Sequence, residues 1–381
     1  MNTHSPTLQT LADLVRINSV NPAYEGGKPE AEIGRYVRNF FHQCGLEVWE
    51  QEVFPERPNV IARLPGRIPD RRVIFEAHMD TAGVAGMRIP PFEPEISGGR
   101  LYGRGACDTK AGLAAMMQAL ASLKRDGITP PAEIWVAATA DEEFAYRGVV
   151  RLCESLVASA GVVAEPTGMR CVVASKGCVR WRIRCHGKAA HSSRPELGVN
   201  AILHMARILL AIEEDTQRLS TINHPLLGRA TCNVGIVSGG TQVNVVPEEC
   251  SIELDRRLLP GEEPREILER YRQMLAGLKR TLPSLDVEMG EPMLEDIPLE
   301  TSTDAPVVLC AAQVLRQAGL NPDPAGVPFG SDASKLARAG IPSVILGPGS
   351  IDQAHAAIEY VDCTQVEQAF ECYRQFMMLF E

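Results

Sequence analysis

The sequence predicts an α/β protein interrupted by a compact α+β module. Helix-period and strand-period segments alternate with short turns up to about Ser175, strict alternation then sets in, and from about Thr303 the first pattern returns. At 381 residues the chain is also long for one ordinary core. Two domains follow, one inserted into the other.

The elements can be read in order. TLADLVRINSV carries apolar residues at helical spacing and stops at Asn21-Pro22. EAEIGRYVRNFFHQCG is a second helix ending at Gly45. EVWEQEV, NVIARLPG and RRVIFEAHMD read as strands. KAGLAAMMQALASLKRDG is a long helix with Gly127 as its stop, and EIWVAATA is a buried strand. Such alternation implies a sheet covered by helices on both faces. Past Ser175, CVRWRIRCHG alternates as a strand with one buried face. VNAILHMARILLAIEEDTQRL is helical, TCNVGIVSG and ECSIELDRRL are strands, PREILERYRQMLAGLKRTL is helical, and LDVEMGE is a strand. That order, βαββαβ, is the ferredoxin-like unit. The α/β domain therefore takes residues 1–174 and 291–381, and the insert 175–290. APVVLCAAQVLRQAG, SKLARAG, PSVILGPG and a final helix complete the first domain.

Bulk properties exclude several functions. A net charge of −10 argues against a nucleic-acid partner, because phosphate binding rests on clustered Lys and Arg. No apolar run is long enough to span a bilayer, and the N-terminus lacks the basic start and apolar stretch of a signal peptide. The 11 cysteines are scattered without a CxxC pair, the pattern of reduced thiols in a cytoplasmic protein. Cys171, Cys178 and Cys185 recur every seven residues, but in strand-like sequence that does not suit a zinc ribbon.

The chemistry-bearing residues cluster at strand ends. His78 and Asp80 are two apart on a strand and face one side. They read either as a capped strand end or as a metal-ligating imidazole supported by a carboxylate. In GRGACDTKAG the glycines allow a tight turn before a helix, and Asp108 stands where a GxGxxG motif would need glycine. Asp108 is either that helix's N-cap or a functional acid. The buried strand EIWVAATA runs into Asp141, Glu142 and Glu143, which repel one another unless cations offset them. Glu165 ends another apolar run, and His355 follows a Gly-rich turn after PSVIL. Open α/β sheets bind ligands at such carboxyl ends. Two divalent cations bring four positive charges; Asp108, Glu143 and Glu165 offset three, and a bridging hydroxide the fourth. Imidazole and carboxylate donors without thiolate suit zinc, and cobalt or manganese less exclusively.

Taken together, LVRINSVNP, AHMDT, YGRGACDTKAG, ADEE, AEPT, GKAAHSSRPELGVNA, GGTQVNVVP and GSDA resemble, nearly end to end, the dizinc aminoacylase and carboxypeptidase metallohydrolases. In style the chain is most similar to the acetylornithine deacetylases and succinyl-diaminopimelate desuccinylases of that family. The resemblance implies a zinc-exopeptidase-like catalytic domain with a mixed sheet flanked by helices, and an inserted ferredoxin-like dimerisation domain. It implies one zinc on His78 and Glu165, a second on Glu143 and His355, and Asp108 bridging them. Asp80 would orient His78, Glu142 would be the general base, and the peptide bond after Asp108 would be cis. His191 would reach the partner's site in a homodimer and stabilise the oxyanion. The implied reaction is hydrolysis of the amide of an N-acyl amino acid by a metal-activated bridging water.

Substrate-binding candidates lie mainly in the insert. Along SIELDRR, Arg257 belongs to the open face of its strand, and the family's D-x-R pattern selects it as a carboxylate clamp. A surface salt bridge explains Arg257 as well. Asn244 would bind substrate or oxyanion beside His191. Ser331 and Asp332 stand where a helix begins, serving either an anion or ordinary N-capping. A dipeptidase or glutamate-type carboxypeptidase with the same centre is the second reading. A metal-binding but inactive dimeric scaffold is the third, and a missing base or ligand would favour it; the sequence has every one.

Overall fold

Three helices begin where the sequence caps them. In the computed structural model, which describes residues 5–381, Ser5 accepts the Leu8 N–H at the head of Pro6–Arg16, with Pro6 at its first position. Asn200 does the same for Leu203 in Ala201–Leu219, and Asp362 for Thr364 in Cys363–Leu379. Gly45 and Gly127 follow Ala31–Gln43 and Lys110–Arg125 in the left-handed conformation that ends a helix.

The chain divides into two compact units. The first comprises the chain up to Val173 with Glu300–Ala325 and Ser331–Glu381; the second comprises Ala174–Leu299 and Gly326–Gly330. Six consecutive strands of the first unit's sheet lie in the order Glu47–Phe54, Arg57–Leu64, Glu133–Thr139, Arg72–His78, Ala160–Val163 and Ser343–Ile345. The first two form an antiparallel hairpin, and Arg57–Leu64 pairs antiparallel with Glu133–Thr139. From there to Ser343–Ile345 every pairing is parallel, so the sheet is mixed. Four neighbouring strands consequently end at one edge.

The helix Lys110–Arg125 is apolar on nearly every side and lies buried. At Gly112 an added Cβ would fall 2.4 Å from the Ala164 Cβ, so only glycine lets this helix approach the strand end that carries Glu165. Phe75 packs edge-on to Tyr373 and Phe376 of the last helix, with ring centroids 5.9 and 5.6 Å away.

In the second unit the sheet order is Thr231–Gly239, Glu249–Leu258, Gly177–His186 and Asp286–Met289, all antiparallel. With helices Ala201–Leu219 and Pro264–Thr281 this is the ferredoxin-like order. Leu294–Asp296 also pairs with Gly177–His186, which keeps residues 291–299 with this unit. Trp181 and Tyr271 meet in its core at 4.8 Å. Alternation along Glu249–Leu258 buries Ile252, Leu254 and Arg256 and leaves Arg257 on the open face. Among the described residues, no helix is long and apolar enough to cross a membrane.

Replacing Phe75 by alanine removes a fully buried ring with two aromatic neighbours. Urea denaturation should show a loss of about 3–5 kcal/mol. A loss under about 1 kcal/mol would contradict this packing.

Candidate metal centre

His78 is the last residue of its strand, Asp141 and Glu142 follow Glu133–Thr139, and Glu165 follows Ala160–Val163. Adjacent parallel strands thus deliver these side chains to a common edge. Asp108 arrives from the turn before Lys110–Arg125, through a cis peptide bond to Thr109. That helix has no side-chain cap at its N-terminus, so capping does not explain Asp108. Its carboxylate instead presents Oδ1 to His78 Nε2 at 3.2 Å and Oδ2 to His355 Nε2 at 3.4 Å.

The remaining acids surround this core. Glu143 Oε2 lies 3.0 Å from His355 Nε2. Glu142 Oε2 and Glu165 Oε1 each lie 3.9 Å from His78 Nε2. His78, Asp108 and Glu143 offer ligand atoms within 4.8 Å of one another, as do His78, Glu142 and Glu165. The structure therefore gathers His78, Asp108, Glu142, Glu143, Glu165 and His355.

The electrostatics of this cluster fit bound cations. Burial, reinforced by Asp108 and Glu142, pushes the Glu165 carboxyl well above its usual range. Burial and the carboxylates of Asp332, Glu143 and Asp108 do the same to Glu142. Glu143 is raised too, by burial opposed by His355. Asp108 is held low, because His355 and His78 outweigh its burial. Asp108 and Glu143 lift His355 to about 10. Burial draws His78 down, but Asp108 and Asp80 leave it well above the usual imidazole value. Glu165 Oε1 is buried without a hydrogen-bond partner, the condition of a ligand atom awaiting an ion. The donor set fits a pair of divalent metal ions.

The chain matches the family model of peptidase family M20/M25/M40 over residues 74–379. It belongs to that family. Acetylornithine deacetylase of Myxococcus xanthus is 32% identical over 281 residues, 72% of this chain and 70% of that one. A tripeptidase from Staphylococcus aureus superposes with a TM-score of 0.81 at 25% identity, covering 98% of each chain. Bacillus subtilis YxeP, a dinuclear metal-binding M20 peptidase, shares the fold with a TM-score of 0.73 at 17% identity, covering 98% of this chain and 97% of that one. As an M20 member the protein is a metal-dependent hydrolase of amide bonds.

Asp80 sits differently from the simple expectation. His78 Nδ1 lies 2.9 Å from the backbone carbonyl of Asp80 and 3.6 Å from its Oδ1. A carbonyl only accepts, so Nδ1 carries a proton, and Nε2 is the ring atom that faces Asp108. The Asp80 carboxylate accepts the Glu142 and Glu143 N–H groups at 3.1 Å each and the Asn21 amide at 2.7 Å.

In the second unit, the Ser192 N–H donates to the Asn244 carbonyl at 3.0 Å, and His191 bridges to Val245, so His191 and Asn244 are neighbours. Arg257 pairs with Asp255 at 2.7 Å. Ser331 is fully buried and its Oγ accepts the Ala333 N–H at 3.3 Å, while Asp332 accepts from Thr139 at 3.3 Å. Both are engaged within the fold.

Sequence reading missed Glu359 and Arg104. Glu359 is fully buried, and its Oε1 accepts the Cys107 and Asp108 N–H groups at 2.9 and 3.1 Å. Arg104 pairs with its other oxygen at 2.6 Å. An acid four residues past His355 was the available signal.

A divalent cation such as zinc at a hundredfold excess over its dissociation constant should stabilise the protein by about 2.7 kcal/mol per site. Thermal unfolding with and without the ion checks this, and Asp108→Asn should lose most of the gain. An equal gain in that variant would place the ions elsewhere.

Proposed function

We propose that the protein is a dizinc hydrolase that cleaves the amide of an N-acyl amino acid, of the acetylornithine type. The observation that carries this reading is Asp108, whose two oxygens face the Nε2 atoms of His78 and His355. His78 and Glu165 would hold one ion, Glu143 and His355 the other, with Asp108 shared. Imidazole and carboxylate donors without thiolate favour zinc over cobalt or manganese. Bound there, two divalent ions supply Lewis acidity and lower the pKa of a water between them.

The chain's own groups do the rest. Glu142, raised by burial, is poised to take a proton from the attacking water on a carboxylate oxygen and return it to the departing amine. Asp80 fixes the backbone of Glu142. His191, an exposed residue, accepts the Ser193 N–H on Nδ1 at 3.2 Å, so Nε2 is the ring nitrogen left to donate outward. A proton there suits an oxyanion formed at the partner subunit's site. Asn244 and the Arg257 guanidinium are the candidates for holding the substrate's polar groups, the latter its carboxylate.

A homodimer through the second unit is part of the proposal. Among the described residues its edge strand Thr231–Gly239 has one side unpaired, and Ile236, Val237, Leu203 and Leu210 are exposed. Eleven free cysteines suit a reducing, cytoplasmic setting. The full-length likeness to a tripeptidase favours peptides as the second substrate class. Assay of acetylornithine, succinyl-diaminopimelate and several dipeptides side by side separates the two.

Glu142→Gln should retain both ions and lose turnover by about a hundredfold or more. Near-normal turnover would remove Glu142 from the proton-carrying role. Mixing inactive His191→Ala with inactive Glu142→Gln should restore partial activity through heterodimers, and absence of rescue counts against the shared site.

A further inference from the structure

Successive side chains on a strand point to opposite faces, yet Glu142 and Glu143 both enter the cluster. The turn that allows this is made at Asp141, whose φ of +68° is a left-handed conformation that non-glycine residues disfavour. Something has to hold it. Arg57, the first residue of its strand, forks onto Glu30 with Nε to Oε2 at 2.6 Å and Nη2 to Oε1 at 2.8 Å. The same Nη2 donates to Asp141 Oδ1 at 2.8 Å, and Glu30 Oε1 accepts the Asp141 N–H at 3.3 Å. The Asn21 amide then links Asp141 Oδ1 at 3.0 Å to Asp80 Oδ2 at 2.7 Å. Asp80 ends the chain of contacts on the backbone N–H groups of Glu142 and Glu143. Glu30, Asn21, Asp80 and Asp141 are all buried, and the Arg57 side chain is 13% exposed.

We propose that Arg57 is a positioning residue for the reaction: through Glu30 and Asp141 it holds the turn that aims Glu142 and Glu143. This rests on the roles given above to those two acids. The effect is asymmetric by construction. Glu143 would serve the ion shared with His355, whereas Glu165 comes from a separate strand that the network does not reach, and His78 meets the network only at its far end, through the backbone carbonyl of Asp80. A purely structural ion pair would show no such bias.

The test compares zinc-loaded wild type, Arg57→Gln and Arg57→Lys for release of each ion to a competing chelator, together with kcat and KM. In Arg57→Gln the ion assigned to Glu143 and His355 should leave at about tenfold lower chelator concentration, while the ion assigned to His78 and Glu165 shifts by less than about threefold. Its kcat should fall by about tenfold or more with KM within about twofold. Arg57→Lys, which keeps the charge but not the fork, should lie between. It also carries the test if Arg57→Gln does not fold. Equal loosening of both ions, or unchanged release and kcat, overturns the proposal. Failure of the underlying reading is separate: it would show as an active Glu142→Gln, whatever Arg57 does to ion release.

Discussion

Mutual repulsion among Asp108, Glu142, Glu143 and Glu165 is the constraint around which this protein is organised. Two like charges about 4 Å apart in a protein repel by about 4 kcal/mol, and here four acids share one partly enclosed edge. Burial, with that repulsion added, drives three of the four carboxyls upward, while Asp108, flanked by both imidazoles, is driven down. Such crowding is relieved by bound cations or by protons taken up on the raised carboxyls. An M20 hydrolase turns that repulsion into affinity for metal.

The mixed sheet makes the crowding possible. Four parallel neighbours end together, so side chains distant in sequence meet without long loops. Behind them stands a layer of groups that touch backbone rather than substrate. Glu359 gathers the amides before Asp108, and Asp80 gathers those of Glu142 and Glu143. The reactive carboxylates are thereby freed from holding themselves in place.

Much of this was legible in the chain. Lys110–Arg125, Ala201–Leu219 and Gly177–His186 are long enough for their period to be unmistakable. Glu95–Ser97, Arg100–Tyr102 and Tyr360–Asp362 were not seen, because three residues hold too little period and Tyr360 pairs with Tyr102 across most of the sequence. The helix Arg147–Cys153 was missed for its shortness and its left-handed start at Tyr146. The candidate ligands stood out because each closes an apolar run. Arg57, Glu30 and Asn21 did not, since in sequence they resemble ordinary polar residues near turns, and only tertiary structure buries them together. Asp108 shows the same limit: a cap and a ligand look alike until the facing imidazoles are in view.

The discontinuity of the first unit carries a consequence for biosynthesis. His78 through Glu165 emerge from the ribosome early, whereas His355 follows the whole intervening unit. The strand Ser343–Ile345, the helix Cys363–Leu379 that packs on Phe75 and the imidazole that faces Glu143 all come after that intervening unit. The order of segments along the chain thus makes the unit that bears the acidic cluster depend on residues from both sides of the insertion.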